Sequence, residues 1–274
     1  MRKFIIVVLV VVTLVVAADF GAAAVAEHVV AQQLRQRLRL SSDPSVRING
    51  FPFLTQALAG HYSAIDVRAD NLSVGPLHDL DVEATLYDVD APLSQVSSGN
   101  LQSVQAARVD GRVRIKDSDL GRAIGIEDLR IQQPSAQEIQ ELLAPGTRSR
   151  GMVAVPSAAG FSGGKSAPVR MVARTDFAGQ RIEVIGLGVI ELTGGLVRIT
   201  ISDVRLSQDG TGAVDLPKGI RQALLKTLSA DVKPGGLPFA VTPTRVSVQT
   251  GSVVVEGTAS NVMISQTGIG DPYR

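Results

Sequence analysis

The stretch AIDVRADNLSV, Ala64 to Val74, carries apolar residues at alternate positions (Ile65, Val67, Ala69) and charges between them (Asp66, Arg68, Asp70). A two-residue period puts the first set on one face of a β-strand and the second on the other. The parity then reverses, because Leu72 and Val74 are apolar where the earlier beat calls for polar groups. A reversal within one strand requires a bulge or sharp bend if the apolar side is to keep facing the same interior. Farther along, Leu80, Val82, Ala84 and Leu86 alternate with Asp81, Glu83, Thr85 and Tyr87, and Val109, Gly111, Val113 and Ile115 alternate with Arg108, Asp110, Arg112, Arg114 and Lys116. Two more runs reverse: Val197, Ile199 and Ile201 give way to Val204 and Leu206, and Val253 and Val255 to Val262 and Ile264. Further strands read as Val169 to Phe177, Arg181 to Leu192 and Thr244 to Thr250. Many of these strands are well beyond the usual ~5 or 6 residues. Length and parity together predict a long antiparallel sheet that curls strongly around an interior.

The helices are marked by other signals. From Ala22 to Leu40, Val25, Val29, Val30, Leu34 and Leu38 recur at three- and four-residue steps, and Arg35, Arg37 and Arg39 crowd the last turn, where cations complement the helix dipole. A short helix is expected at Ser118 to Ile124, stopped by Gly125, and another at the capping box Ser135-Ala136-Gln137-Glu138, ending before Pro145. A third runs from Leu216 to Leu228, and the segment Val155 to Pro168 reads as an exposed loop. Gly50-Phe51-Pro52-Phe53 after the first helix is echoed by Gly236-Leu237-Pro238-Phe239 after the later one. The segment Gly50 to Gly60 has two readings, the mouth of a cavity or a short helix capping the end of the sheet.

The N-terminus decides location. Met1-Arg2-Lys3 precedes fifteen uncharged residues, FIIVVLVVVTLVVAA from Phe4 to Ala18. A positive start followed by an apolar run is an export signal, and the cations keep the N-terminus inside while the rest is sent out. Two fates stay open. Val16-Ala17-Ala18 and Ala24-Val25-Ala26 would each suit a signal peptidase, whereas Phe4 to Ala26 with only Asp19 interrupting it is long enough to span ~30 Å of hydrocarbon, placing Asp19 at the headgroup level. The expected organisation is therefore a signal peptide or signal anchor over 1–26, one domain over 27–267, and a disordered tail over 268–274.

Composition excludes several function classes. Cysteine is absent, which removes disulfides and a lipidated cysteine, and the net charge of +1 gives no nucleic-acid footprint. Trp is absent, Tyr numbers three and Phe seven, so the interior is aliphatic. Gly160-Phe161-Ser162-Gly163-Gly164 satisfies G-x-S-x-G, but Pro156 and Pro168 bracket a glycine-rich loop and His28, His61 and His78 all lie upstream. Ser162-x-x-Lys165 and Gly164-Lys165-Ser166 lack the helix that an acyl-enzyme serine or a phosphate loop needs. Three scattered histidines and the pairs Asp79/Asp81 and Asp88/Asp90 read as a solvated outer face rather than a metal site. No catalytic constellation, metal or cofactor is expected.

The helix after the export signal, followed by GFPFLTQALAGHYSAIDVRADNLSVGPL (Gly50 to Leu77) and LHDLDVEATLYDVDAPL (Leu77 to Leu93), resembles the actinobacterial LmeA-like family, named for lipomannan elongation factor A. The resemblance implies a TULIP-type α+β fold in a single exported domain, a long, strongly curved antiparallel sheet wrapped around helices, related to the bactericidal permeability-increasing and synaptotagmin-like lipid carriers, with an elongated apolar cavity for acyl chains. It implies a non-enzymatic protein of the cell envelope or periplasm that binds or transfers phospholipid, phosphatidylinositol-type lipids included, and supports mannan elongation of lipomannan. Phe51, Phe53, Leu54, Leu58, Phe177, Leu237 and Phe239 are then candidate cavity walls, and Arg35, Arg37 and Arg39 candidate headgroup contacts. The implied partners are phospholipid, the membrane and envelope glycosyltransferases. The competing expectation is an accessory partner of a membrane glycosyltransferase that holds no lipid of its own.

Overall fold

The computed structural model describes residues 1–38, 40–75, 77–92, 104–126, 128–143, 164–177, 180–193, 196–208, 211–214, 218–232, 242–265 and 268–270. The chain opens with one unbroken helix, α1 (Arg2–Leu38), where the sequence pattern marks an apolar leader and a separate helix from Ala22. Nothing between Ala18 and Ala26 breaks helical geometry: alanine is the best helix former, and the lone Gly21 costs only ~1 kcal/mol. The expected boundary at residue 26 thus falls inside a continuous element.

β1 (Ser45–Asn49), α2 (Phe53–Ala59), β2 (His61–Val74), β3 (Leu77–Asp90) and β4 (Val104–Lys116) follow. The chain then crosses through α3 (Asp117–Ile124), β5 (Arg130–Gln132) and α4 (Ala136–Leu143) into β6 (Ser166–Phe177), β7 (Gln180–Thr193), β8 (Leu196–Gln208) and β9 (Thr211–Val214). It returns by α5 (Lys218–Leu228) and β10 (Ala230–Val232) to β11 (Thr242–Gln249), β12 (Ser252–Ser265) and β13 (Gly268–Gly270). Both helix punctuations expected from sequence are present. Gly125 ends α3 in the left-handed region at φ 75°. Ser135 and Glu138 form the reciprocal capping box of α4: the Ser135 N–H donates to Glu138 Oε2 at 2.7 Å, and the Glu138 N–H to Ser135 Oγ at 3.3 Å.

The strands make two antiparallel sheets, not the single sheet expected. The first runs β1-β2-β3-β4-β12-β11, with β13 also on β12; the second runs β10-β8-β7-β6-β5, with β9 on β8. The reason lies in the crossover: α3 ends β4 and carries the chain into a second layer, so β4 takes its other neighbour from the far end of the chain, β12. Gly268–Gly270 pairs with Met263–Ser265, so ordered strand continues past the expected domain end at 267.

The predicted parity reversals are real irregularities. Pairing of β2 with β3 shifts between Ala69 and Leu72, and that of β7 with β8 shifts at Leu187/Gly188, opposite Ile201 and Asp203. Asn71, Asp88 and Asn261 take positive φ of 57°, 49° and 52° inside β2, β3 and β12. Asn and Asp are the non-glycine residues best suited to that region, so each strand turns its apolar beat at a residue that tolerates the conformation.

One face of the first sheet is apolar along its whole length and is covered twice. Leu77, Leu80, Ile115, Val246 and Val253 pack against Val169, Met171, Ile190, Ile199 and Val204 of the second sheet. Toward the other end, Leu86, Val89, Ala106, Val109 and Val262 pack under Phe53 and Ala57 of α2 and Ala22, Ala23 and Ala26 of α1. The opposite face is polar.

Candidate functional site

That polar face forms a trough of about 710 Å³ lined by residues of all six strands of the main path, from Ser45 and Arg47 on β1 to Thr244 on β11. Cross-strand pairing sets neighbouring charges opposite one another. Arg68 reaches Glu83 at 2.8 Å, Arg112 reaches Glu256 at 2.8 Å and Glu83 at 3.9 Å, and Arg245 lies 3.8 Å from Glu256. Asp66 accepts from Asn49 and from the Thr85 hydroxyl, each at 2.7 Å. Beyond the trough, Arg108 lies over the Tyr87 ring at 4.1 Å, and Lys116 bridges Asp79 at 2.8 Å and Asp81 at 3.5 Å. The hydrogen bond to Asp79 holds the Lys116 ammonium above its ordinary range, against the pull of burial. Glu83, Glu256, Asp79 and Asp81 thus stand beside cations, while Asp66 is held by neutral donors. Among the described residues no group of three His or acidic side chains is placed to hold a metal ion.

The apolar candidates separate. Phe53 is buried at 6% exposure and meets Tyr62 with ring centroids 6.3 Å apart, and burial raises the Tyr62 phenol. Phe51, Leu54 and Leu58 instead face outward at 62%, 40% and 80% exposure. The short-helix reading of Gly50 to Gly60 describes α2, which lies over the sheet end. Phe177 ends β6, opposite Gln180 of β7. Leu237 and Phe239, and with them the echo of the Gly50 motif, lie outside the described residues. So do Arg39 and Ser162; Arg37 lies within α1, and Arg35 donates to Asp43 at 3.2 Å. The loop motif is represented by Gly164, at φ 73°, and Lys165; their carbonyls accept the Val246 and Leu192 N–H groups and tie the start of β6 into the fold.

Two carboxylates that pattern reading assigned no such role join helices to the rest. Asp19 of α1, 3% exposed, accepts the N–H groups of Phe53 and Leu54 at 2.8 and 2.7 Å, satisfying the start of α2. Asp119 of α3, fully buried, accepts the His78 N–H through both oxygens, at 3.0 and 2.9 Å, and the Asp79 N–H at 3.2 Å, and pairs with Arg122 at 2.7 Å. The Asp19 carboxylate thus faces inward onto α2. A carboxylate facing two unsatisfied amides is better placed there than in lipid. Glu27, two turns on, accepts the Ile48 N–H at 2.8 Å, so α1 is fastened at two points.

Residues 17–258 match the model of the LmeA-like phospholipid-binding family. The chain belongs to that family. The match begins at Ala17, within α1, and so takes in Asp19 and the alanines that cover the sheet. No curated protein and no solved structure gives a match. Membership in the LmeA-like family supports lipid binding. Residues of α1 from Phe4 to Val15 are almost all exposed, and this helix is long and apolar enough to cross a membrane.

Proposed function

We propose that this protein is a non-enzymatic phospholipid-binding or lipid-transfer protein of the cell envelope, held on the outer side of the membrane by α1, and that it supports mannan elongation of lipomannan. The observation that carries the reading is family membership over residues 17–258. An acyl chain needs only aliphatic walls, each buried CH2 contributing ~0.8 kcal/mol, and the sheets supply Val, Leu, Ile and Ala in abundance. Phe53, Phe177, Leu237 and Phe239 are the proposed wall residues of the original set, since Phe51, Leu54 and Leu58 point outward. Arg35 lies about 24 Å along the helix from Asp19 at 1.5 Å per residue. A headgroup met by Arg35, Arg37 and Arg39 would therefore belong to a carried lipid rather than to the bilayer beside Phe4 to Val15.

The test is to purify the full chain, extract it with organic solvent, and examine it by native mass spectrometry before and after incubation with envelope phospholipids. A copurifying or rebinding phospholipid supports the proposal. Absence of both overturns it. A second reading is favoured by the trough, whose polar lining suits a protein partner better than an acyl chain: an accessory subunit of a membrane glycosyltransferase, for which Arg112→Glu would weaken complex formation and leave lipid content unchanged.

A further inference from the structure

Helix α2 is apolar on both sides, and only one side is covered. Phe53 and Ala57, four residues apart, face the sheet and are buried. Leu54 and Leu58, also four apart and therefore on one face, have no such cover, and Phe51 just before the helix is 62% exposed. Phe51 stacks on Phe20 of α1, ring centroids 6.1 Å apart and 25° from parallel, and Phe20 is itself 63% exposed. Soluble surfaces rarely gather such side chains into one contiguous patch.

The patch also continues another surface. Phe20 follows the exposed run Phe4 to Val15 on the same unbroken helix. A span of ~20 residues counted from Phe4 ends close to Ala23, which puts Phe20 near the level where hydrocarbon meets headgroups. Asp19, which would place a charge at that level, is turned inward onto the Phe53 and Leu54 amides. None of the four patch side chains is charged, and the Asp19 carboxylate is taken up by α2; the exposed Asp88 and Asp90 stand on β3 at the same end of the sheet, beside His61.

We propose that Phe20, Phe51, Leu54 and Leu58 form a membrane-docking surface that seats the domain on the same bilayer that α1 enters. The surface fixes the end of the sheet that carries α2 against the lipid and points the end that carries α3 away from it. The proposal rests on the reading of α1 as a membrane segment, but not on the protein holding lipid cargo.

The chain contains no Trp, so a single introduced Trp reports alone. Full-length Leu58→Trp, Phe51→Trp, Val12→Trp and Ser118→Trp are each reconstituted into phosphatidylcholine vesicles with plain acyl chains, or with chains brominated either near the headgroup end or near the chain terminus. Ser118 is exposed on α3, at the far end of the β2–β3 hairpin, and serves as the distant reference. Leu58→Trp and Phe51→Trp are expected to lose at least half their emission in brominated vesicles, as Val12→Trp does, while Ser118→Trp loses little. Quenching of Val12→Trp with Leu58→Trp and Phe51→Trp no more quenched than Ser118→Trp overturns the proposal. Failure to find bound phospholipid by mass spectrometry would leave this pattern unchanged, so the two readings fail separately.

Discussion

At one end of the first sheet the apolar face packs against a second sheet, aliphatic layer on aliphatic layer; at the other it packs against α1 and α2, with four alanines and one phenylalanine in the contact. Each end is secured by one buried carboxylate that accepts backbone amides, Asp119 at the sheet-covered end and Asp19 at the helix-covered end. The difference is in what stands behind the carboxylate. Asp119 belongs to a short helix lodged between β4 and β5, whereas Asp19 belongs to a helix whose residues from Phe4 to Val15 are exposed. The integrity of the helix-covered end is thus tied to whether the N-terminal segment stays on the chain.

The comparison breaks first at that segment. A chain beginning at Glu27 loses the Asp19 acceptor and the cover of Ala22, Ala23 and Ala26, whereas a chain beginning at Asp19 keeps both. The shorter chain should be about 4–5 kcal/mol less stable to urea than the longer, from two orphaned amides and the lost apolar cover. Hydrogen exchange should accelerate in β1, β2 and α2 and leave β7 protected. Equal stability of the two would mean that Asp19 and the alanines add nothing. At the other end, Asp119→Ala leaves the His78 and Asp79 amides without their acceptor and Arg122 without its partner, an expected loss of about 3–4 kcal/mol with exchange fastest around α3 and Leu77 to Leu80. A loss centred on α2 instead would contradict the separation of the two ends.

Smaller effects test the second sheet and its helices. A Cβ at Gly188 would lie 2.1 Å from the Thr200 carbonyl oxygen, opposite the bulge in β8. Gly188→Ala should cost about 2–3 kcal/mol, measured by thermal unfolding. The least of the four concerns acid. Burial pushes the Glu138 carboxyl up, but hydrogen bonds from Ser135 and the Arg170 guanidinium outweigh it and hold it below the usual carboxylate range. With the folded value depressed, its contribution is complete above the unfolded value and is lost as pH falls through the folded one. Glu138→Gln should therefore lower stability by about 0.5–1 kcal/mol at neutral pH, with the difference from the parent chain shrinking as the pH falls through the folded value, below the usual carboxylate range.

Features that live within a few residues of each other were legible in sequence. The capping box at Ser135, the stop at Gly125 and the parity reversals at Ala69/Leu72, Ile201/Val204 and Ala259/Val262 are local, because caps and side-chain alternation depend on backbone geometry over one turn or one bulge. The division of the GFPFL segment was not. Phe51, Phe53, Leu54 and Leu58 are chemically alike, and only the seat of α2 on the sheet sends Phe53 inward and the others out. The trough was half legible, since Arg68, Glu83, Arg112 and Glu256 all fall on the polar beat, but no sequence pattern states that strands 144 residues apart place Arg112 beside Glu256.

By itself, the sequence determined the strands, their bulges, most helix boundaries and an N-terminal segment suited to a membrane, because each follows from hydrophobic period and backbone preference over short range. Tertiary structure alone decided that the strands divide into two sheets, that α1 runs unbroken from the apolar segment into the core, and that Asp19 turns inward. Those outcomes depend on which distant groups are left unsatisfied when the layers meet. A carboxylate near the end of an apolar run suggests a membrane level in the sequence; that it also holds the start of α2 is decided only when the amides of Phe53 and Leu54 are brought within hydrogen-bonding distance of it.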